Sequence, residues 1–245
     1  MKILGIESAS LVASAALLED DVLLSECTSN YKKTHSETLL PMIEEVLRTA
    51  GTEPSGIDLI AVSEGPGSFT GLRIGVSTAK GMAYALNVPV VPVPTTDAMA
   101  YGCYGSQFIL CPLMDARREQ VYTGIYEFRG EDFTVLHPAD ALALTEAVSL
   151  AEEFSEKLNK PVCYLGDGLK VFEEKILSIS RTKPVFAPAS NRFQRASSVA
   201  SLGFKLFKEG RQESAETFLP VYLRKSQAER EREAMGLSTE AAELF

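Results

Sequence analysis

The chain has 245 residues, 45% of them hydrophobic, with a net charge of −9 and a pI near 4.9. That length allows one large domain or two small ones, and the apolar fraction suffices for a buried core. The acidic balance disfavours direct binding to nucleic acid or an anionic membrane, because phosphate contact depends on Lys and Arg; it does not exclude joining a complex with basic members.

In chain order, "KILGIES", "VASAALLED" and "VLLSECT" read as three strands, the last two separated by the turn residues Asp20 and Asp21. Their spacing predicts an antiparallel meander. "THSETLLPMIEEVLRTAG" reads as a helix that Thr34 or Ser36 can cap, with Glu37 in its first turn and Gly51 at its end. Pro41 falls inside the pattern, so the helix is expected to start near Leu40 or to bend there. The strand "IDLIAVS", the glycine turn "SEGPGSFTG", the helix "GLRIGVSTAKGMAYAL" and a short strand "VPVVPV" follow. The prolines of that last strand suit an edge. The order β-β-β-α-β-α-β resembles the ribonuclease-H-like unit, which occurs twice in the actin, sugar-kinase and Hsp70 superfamily.

A second set follows. "QFILCPLMDARREQVYTGIYEF" predicts two strands around a turn at Asp115–Arg118, and "DFTVLHP" a third. "LTEAVSLAEEFSEKLN" reads as a helix, "PVCYLG" as a strand and "LKVFEEKILSIS" as a helix; "RASSVASLGFKLFKEG" is a last amphipathic helix ended by Gly210. The expectation is an α/β fold of two ribonuclease-H-like subdomains, 1–102 and a shortened copy at 103–195. The last helix, in 196–245, should pack back toward the first subdomain, and the dense charge after "YLRK" reads as a solvated helix or tail. No apolar run approaches the roughly 18 residues that span a bilayer, and "MKILGIESAS" reads as a strand rather than a signal peptide. Cys27, Cys103, Cys111 and Cys163 show neither C-x-x-C nor zinc spacing. Reduced thiols in a cytoplasmic protein are expected, with disulfides as the alternative.

The glycine turn invites a phosphate reading, but two motifs fail. Counting a P-loop from Gly65 or Gly67 puts Thr70 or Leu72 at the second glycine, and no Lys-Ser or Lys-Thr pair follows. The spacing Gly65, Gly67, Gly71 is one residue too long for the dinucleotide fingerprint. Two readings stay open: an anion site on backbone amides at a helix start, or a tight turn that brings helix and strand together. Along the helix, Gly71, Gly75, Ala79 and Ala83 recur every fourth residue and form a small-residue ridge beside Leu72, Val76 and Met82. The preceding helix offers Leu39, Leu40, Ile43, Val46 and Leu47. These faces either pack on the chain's own sheet or form a platform for a partner's matching helices. Sparse charge on the second helix, Arg73 and Lys80 alone, favours docking. A bulky residue at Gly75 is then expected to block docking without unfolding the chain.

"THSETLLPMI", "GPGSFTGLRIGVSTAKG", "PVVPVPTTDA", "DARREQVY" and "PVYLRKSQAERE" together resemble, in order, the bacterial TsaB family, formerly YeaZ. The resemblance implies two actin-like subdomains. It also implies a role in making threonylcarbamoyladenosine in tRNA, as the partner of a catalytic paralogue, TsaD, with the ATPase TsaE. The paralogue holds a metal with an H-x-x-x-H pair, whose positions here hold Thr95 and Met99, neither of them a plausible ligand. The only histidines are His35 and His137, and His35 reads as a capping or contact residue. Glu7 ends the first strand where a superfamily carboxylate can position magnesium; it is either that or a leftover surface acid, since no second carboxylate is identifiable to share an ion. Asp115 could mimic such an acid, and Arg117 and Arg118 could make a local anion site, with a solvated turn as the alternative.

The reading is therefore of an accessory subunit without its own catalytic, metal or cofactor site. His35, Leu39, Leu40, Ile43, Leu47, Gly71, Leu72, Gly75, Val76, Ala79, Met82 and Ala83 dock a TsaD-like paralogue, and a homodimer forms when the chain is alone. A nucleotide at the partner junction would be touched by Glu7, Gly65, Gly67, Ser68, Thr70 and Arg73. tRNA is met only through the complex. The alternative is an independent ATP-using or metallopeptidase-like enzyme, which the missing P-loop and H-x-x-x-H pair disfavour.

Overall fold

The computed structural model describes residues 1–31 and 34–224; the charged tail from Lys225 onward lies outside the described residues. The first sheet contains β1 (Lys2–Glu7), β2 (Ala13–Glu19) and β3 (Val22–Ser29), an antiparallel meander. Next come α1 (His35–Thr49), a 3-10 turn at Pro54–Gly56, β4 (Leu59–Gly65), α2 (Phe69–Leu86) and β5 (Val90–Pro94). The strand order is β3-β2-β1-β4-β5, with β4 parallel to β1 and β5 parallel to β4. This is the ribonuclease-H-like unit. β5, which carries Pro92 and Pro94, is an edge strand, where a missing N–H costs least.

The first helix does not start near Leu40, one of the two expectations for it. It begins at His35 and continues through Pro41. Pro41 sits on the exposed side, so the carbonyl it fails to pair can be met by water. Thr34 occupies the N-cap position without capping through its side chain; its carbonyl instead accepts from the Thr38 hydroxyl. The end is as predicted. Gly51 adopts φ 59°, its amide bonds Arg48, and the Thr52 amide bonds Leu47, closing a Schellman motif.

After the seven-residue helix α3 (Thr95–Tyr101), the second unit contains β6 (Ile109–Pro112), β7 (Met114–Asp115), β8 (Gln120–Arg129) and β9 (Asp132–Ala143). It continues with α4 (Leu144–Leu158), β10 (Val162–Leu165), α5 (Leu169–Ile179) and β11 (Val185–Phe186). The sheet order is β11-β10-β6-β8-β7, with β9 beside β8. α6 (Ala196–Lys208) then returns to the first sheet.

The parallel centre of the first sheet is buried on both faces, which explains its near-continuous apolar strands. Leu4, Ile6, Ile60 and Val62 pack beneath α1 and α2, while Ile3, Leu59 and Ala61 face α6. The two sheets meet through Ala9, Leu72, Met99 and Ala100 on one side and Leu110, Met114, Tyr126 and Leu165 on the other. At ~1.5–3 kcal/mol for each large apolar side chain buried, this seam holds the units together. The Tyr126 hydroxyl reinforces it, lying 2.8 Å from both Thr96 and Asp97 of α3.

Candidate functional site

The glycine turn owes its composition to close backbone approach. α2 starts against the β1–β2 connection: the Ser68 amide donates to the Ala9 carbonyl at 2.7 Å, and the Ser8 hydroxyl donates to the Gly71 carbonyl at 2.9 Å. A Cβ at Gly67 would collide with the Ala9 carbonyl, at Gly71 with the Ser8 carbonyl, and at Gly75 with the Ser8 hydroxyl. Ser68 caps α2 by accepting from the Gly71 amide. Two amides at this helix start, those of Ser68 and Gly71, are thus committed to the chain's own oxygens. His35 completes the arrangement: its Nε2 donates to the Ser10 carbonyl at 2.6 Å, tying the start of α1 to the same connection.

This packing buries most of the residues read from sequence as docking residues. The small-residue ridge faces inward. Gly71, Gly75, Ala79 and Ala83 are buried against the first sheet and its β1–β2 connection, together with Leu39, Ile43, Leu47 and Val76, and Leu72 is buried in the seam between the units. Of these, only Leu39 also lines the open groove between α1 and α2, and the ridge exists because glycine lets α2 approach Ser8. A bulky residue at Gly75 is therefore a core lesion rather than a docking probe. Of the docking residues read from sequence, Leu40 is 52% exposed, and His35 and Met82 are half-buried.

What α1 and α2 present outward is an open groove of about 560 Å3 between them. Leu40, Phe69 and Ile74 supply its apolar lining; Arg73, Ser77 and Thr78 edge it. Further along α2, Gly81 is exposed and a Cβ there meets no atom within 4 Å. Gly81→Ala is expected to raise stability by about 0.5–1 kcal/mol through helix propensity alone. Denaturant unfolding checks this, and a loss of stability would show a contact that the structure does not contain.

Between the two units lies a second cavity, of about 460 Å3, bounded by the β1–β2 connection, the glycine turn, the β7–β8 turn and Asp167. Of the six residues read as nucleotide contacts, Gly67 and Ser68 line this cavity and the other four do not. Glu7 and Gly65 are buried, Gly67 abuts Ala9, and Thr70 and Arg73 line the α1–α2 groove. Glu7 is no surface acid: it is 1% exposed, its Oε1 accepts from the Ala9 amide at 2.6 Å, and burial pushes its carboxyl up to about 7. A second carboxylate does stand near it. Asp167 adds to the rise at Glu7, and burial raises Asp167 itself, opposed by the Gln194 amide bonded to it at 3.0 Å. Sequence reading missed Asp167. The available signal was "LGDG", a strand–glycine–helix junction like the first, with Gly166 at φ 108°. Among the described residues, no three His, Cys, Asp or Glu side chains form a metal-ligand group. Thr95 and Met99 lie buried one turn apart on α3.

The Glu7 shift has a signed consequence. A carboxyl near 7 when folded and 4.5 when unfolded contributes stability that is complete below about pH 4.5 and lost as pH rises through 7. Glu7→Gln stays neutral throughout and can still accept from the Ala9 amide. It is expected to be more stable than the parent by about 2–3 kcal/mol at pH 8 and to differ little at pH 4.5. Glu64, raised by burial to about 7, adds its own dependence in both proteins. Urea titrations at the two pH values test this; identical pH dependence in parent and variant would contradict the assignment.

The β7–β8 turn is strained. Arg117, Arg118 and Glu119 have φ of 65°, 56° and 58°, three consecutive left-handed residues with side chains. Each costs roughly 1–2 kcal/mol. Asp115, read from sequence as a possible counterpart of the carboxylate that positions magnesium, braces the turn by accepting from the Arg117 amide at 2.8 Å and the Arg117 guanidinium at 3.1 Å. Arg118 is exposed.

A strap formed by residues 213–224 runs from the edge of β5 to this turn. Glu213 exchanges backbone bonds with Val90, the Phe218 side chain is fully buried, and the Val221 amide donates to the Glu64 carbonyl at 2.8 Å. Tyr222 packs on Phe69 with ring centroids 4.8 Å apart and accepts from Arg73 Nε at 3.2 Å. Arg224 donates to the Ala116 carbonyl at 2.7 Å.

All four cysteines are free, and burial pushes Cys111 up to about 12 and Cys163 up to about 11, so both stay protonated at neutral pH. Among the described residues, no helix is long and apolar enough to cross a membrane.

A family model described as TsaD, tRNA N6-adenosine threonylcarbamoyltransferase, matches residues 22–232. The tRNA threonylcarbamoyladenosine biosynthesis protein TsaB of Bacillus subtilis is 31% identical over 94% of this chain and 96% of its own. The structure of YeaZ from Pseudomonas aeruginosa superposes with a TM-score of 0.76 at 28% identity, covering 91% of this chain and 99% of that one. Component A of (R)-2-hydroxyglutaryl-CoA dehydratase from Acidaminococcus fermentans, 10% identical with a TM-score of 0.50 over 84% of this chain and 98% of that one, shares the fold alone. Matched along nearly its whole length in both sequence and structure, the chain belongs to the TsaB family.

Proposed function

We propose that this chain is a non-catalytic subunit in the biosynthesis of tRNA threonylcarbamoyladenosine, and that its α1–α2 groove receives a TsaD-like paralogue. The observation that carries the reading is the groove itself: Leu40, half exposed, stands beside Phe69 and Ile74 on a chain of net charge −9. Exposed apolar surface framed by polar residues marks an interaction site. The residues at the paralogue's metal-ligand positions support the same reading, since the threonine and methionine there cannot replace two histidines. A TsaE-like ATPase acts on the assembled pair, and tRNA is contacted through the complex. Without the paralogue the same face pairs with a second copy about a two-fold axis, as a self-complementary patch can.

Mixing the purified chain with its cognate paralogue tests this by size exclusion with light scattering. Co-elution as a hetero-complex is expected, replacing a weaker homodimer. Separate elution of two folded proteins would contradict the proposal, as would substantial ATP turnover by the isolated chain.

A further inference from the structure

Two features separated in sequence meet at one side chain. Phe69 lines both the α1–α2 groove and the cavity between the units. On its groove side the Arg73 guanidinium lies 4.0 Å above its ring; on its cavity side is Tyr222. Two residues past Tyr222, Arg224 bonds the carbonyl of Ala116, at the foot of the strained turn. The strap is anchored upstream by buried Phe218, whose carbonyl accepts from Lys80 of α2 at 2.8 Å. Its last residues therefore bridge α2 of the first unit and the β7–β8 turn of the second.

We propose that the strap couples occupancy of the α1–α2 groove to the conformation of the Arg117–Glu119 turn, so that docking locks the two units together. The coupling rests on the docking reading above. An occupant covering Phe69 and Arg73 removes water from the Arg73–Tyr222 hydrogen bond and the Tyr222–Phe69 contact, and a hydrogen bond taken out of water is electrostatically stronger. Fixing Tyr222 fixes Arg224, which holds the turn. The turn itself can serve as the two-state element, because three side-chain-bearing residues in the left-handed region persist only while their surroundings hold them there. Release of Arg224 frees the turn to relax, and engagement keeps it in its strained form.

Hydrogen exchange on the full chain, with and without the TsaD-like paralogue, tests the coupling. The probes are the amides of Ala116 and Gln120, which close the turn through the Gln120 and Arg117 carbonyls. Saturating paralogue is expected to slow their exchange about tenfold, as for a local opening made rarer by that factor. Arg224→Ala, outside the groove, should bind the paralogue within about threefold of the parent and lose the slowing. Arg118→Gly, at an exposed position where glycine relieves the strain, should exchange slowly even without the paralogue. Binding without slowing in the parent, or slowing that survives in Arg224→Ala, would overturn the coupling while leaving docking intact. Failure to bind at all would overturn the docking reading and the coupling with it.

Discussion

Leu40→Asp is expected to weaken association with the paralogue at least about 100-fold while leaving the fold unchanged. Half of Leu40 is already in solvent, so the free chain loses little when it is replaced. In the complex the position is desolvated, and an aspartate would enter an apolar contact without a partner for its charge. Losing a buried apolar anchor costs about 2 kcal/mol or more, and an unpaired carboxylate adds a comparable penalty. Together these exceed the ~2.7 kcal/mol that corresponds to 100-fold. Titration calorimetry measures the affinity, and thermal unfolding shows whether the fold is retained. An unchanged affinity would move the docking face away from the groove.

Gly71→Ala is expected to act in the opposite way, lowering stability by about 2–4 kcal/mol. Its new methyl group would collide with the Ser8 carbonyl, a main-chain atom that cannot turn aside. Helix propensity returns only about 1 kcal/mol. Gly75→Ala should cost less, because its obstacle is the Ser8 hydroxyl, which can rotate at the expense of its bond to the Gly71 carbonyl. Larger residues at Gly75 should unfold the chain. Denaturant titration of the two alanine variants separates the possibilities. Wild-type stability with lost docking would restore the small-residue ridge to the surface and contradict the packing described here.

The first sheet was legible because its strands and helices differ in period. "KILGIES" and "IDLIAVS" are largely apolar runs, and the helix behind them carries a four-residue repeat of small side chains. That repeat revealed close approach without naming the neighbour. Gly71 and Gly75 look alike whether they receive a foreign helix or the turn after β1, and only the sheet order places Ser8 beneath them. Pro41 misled because local propensity places a break there, whereas an exposed position in a packed helix tolerates it. The cavity between the units was the least legible part. Glu7, Asp115, Asp167 and Arg224 are far apart in sequence, and their relation arises from the packing of two sheets. Nor does a reading of residue types reveal left-handed backbone at Arg117–Glu119, where no glycine or asparagine marks it.

Threonylcarbamoyl transfer to tRNA, assayed with this chain alone, the paralogue alone, both together, and the paralogue with Leu40→Asp, tests the central claim most directly. The account predicts turnover from the mixture of parent chain and paralogue, none from this chain alone, and a defect in the Leu40→Asp mixture that higher protein concentration repairs. Transfer by this chain unaided, or full activity of the Leu40→Asp mixture at limiting concentration, would contradict it.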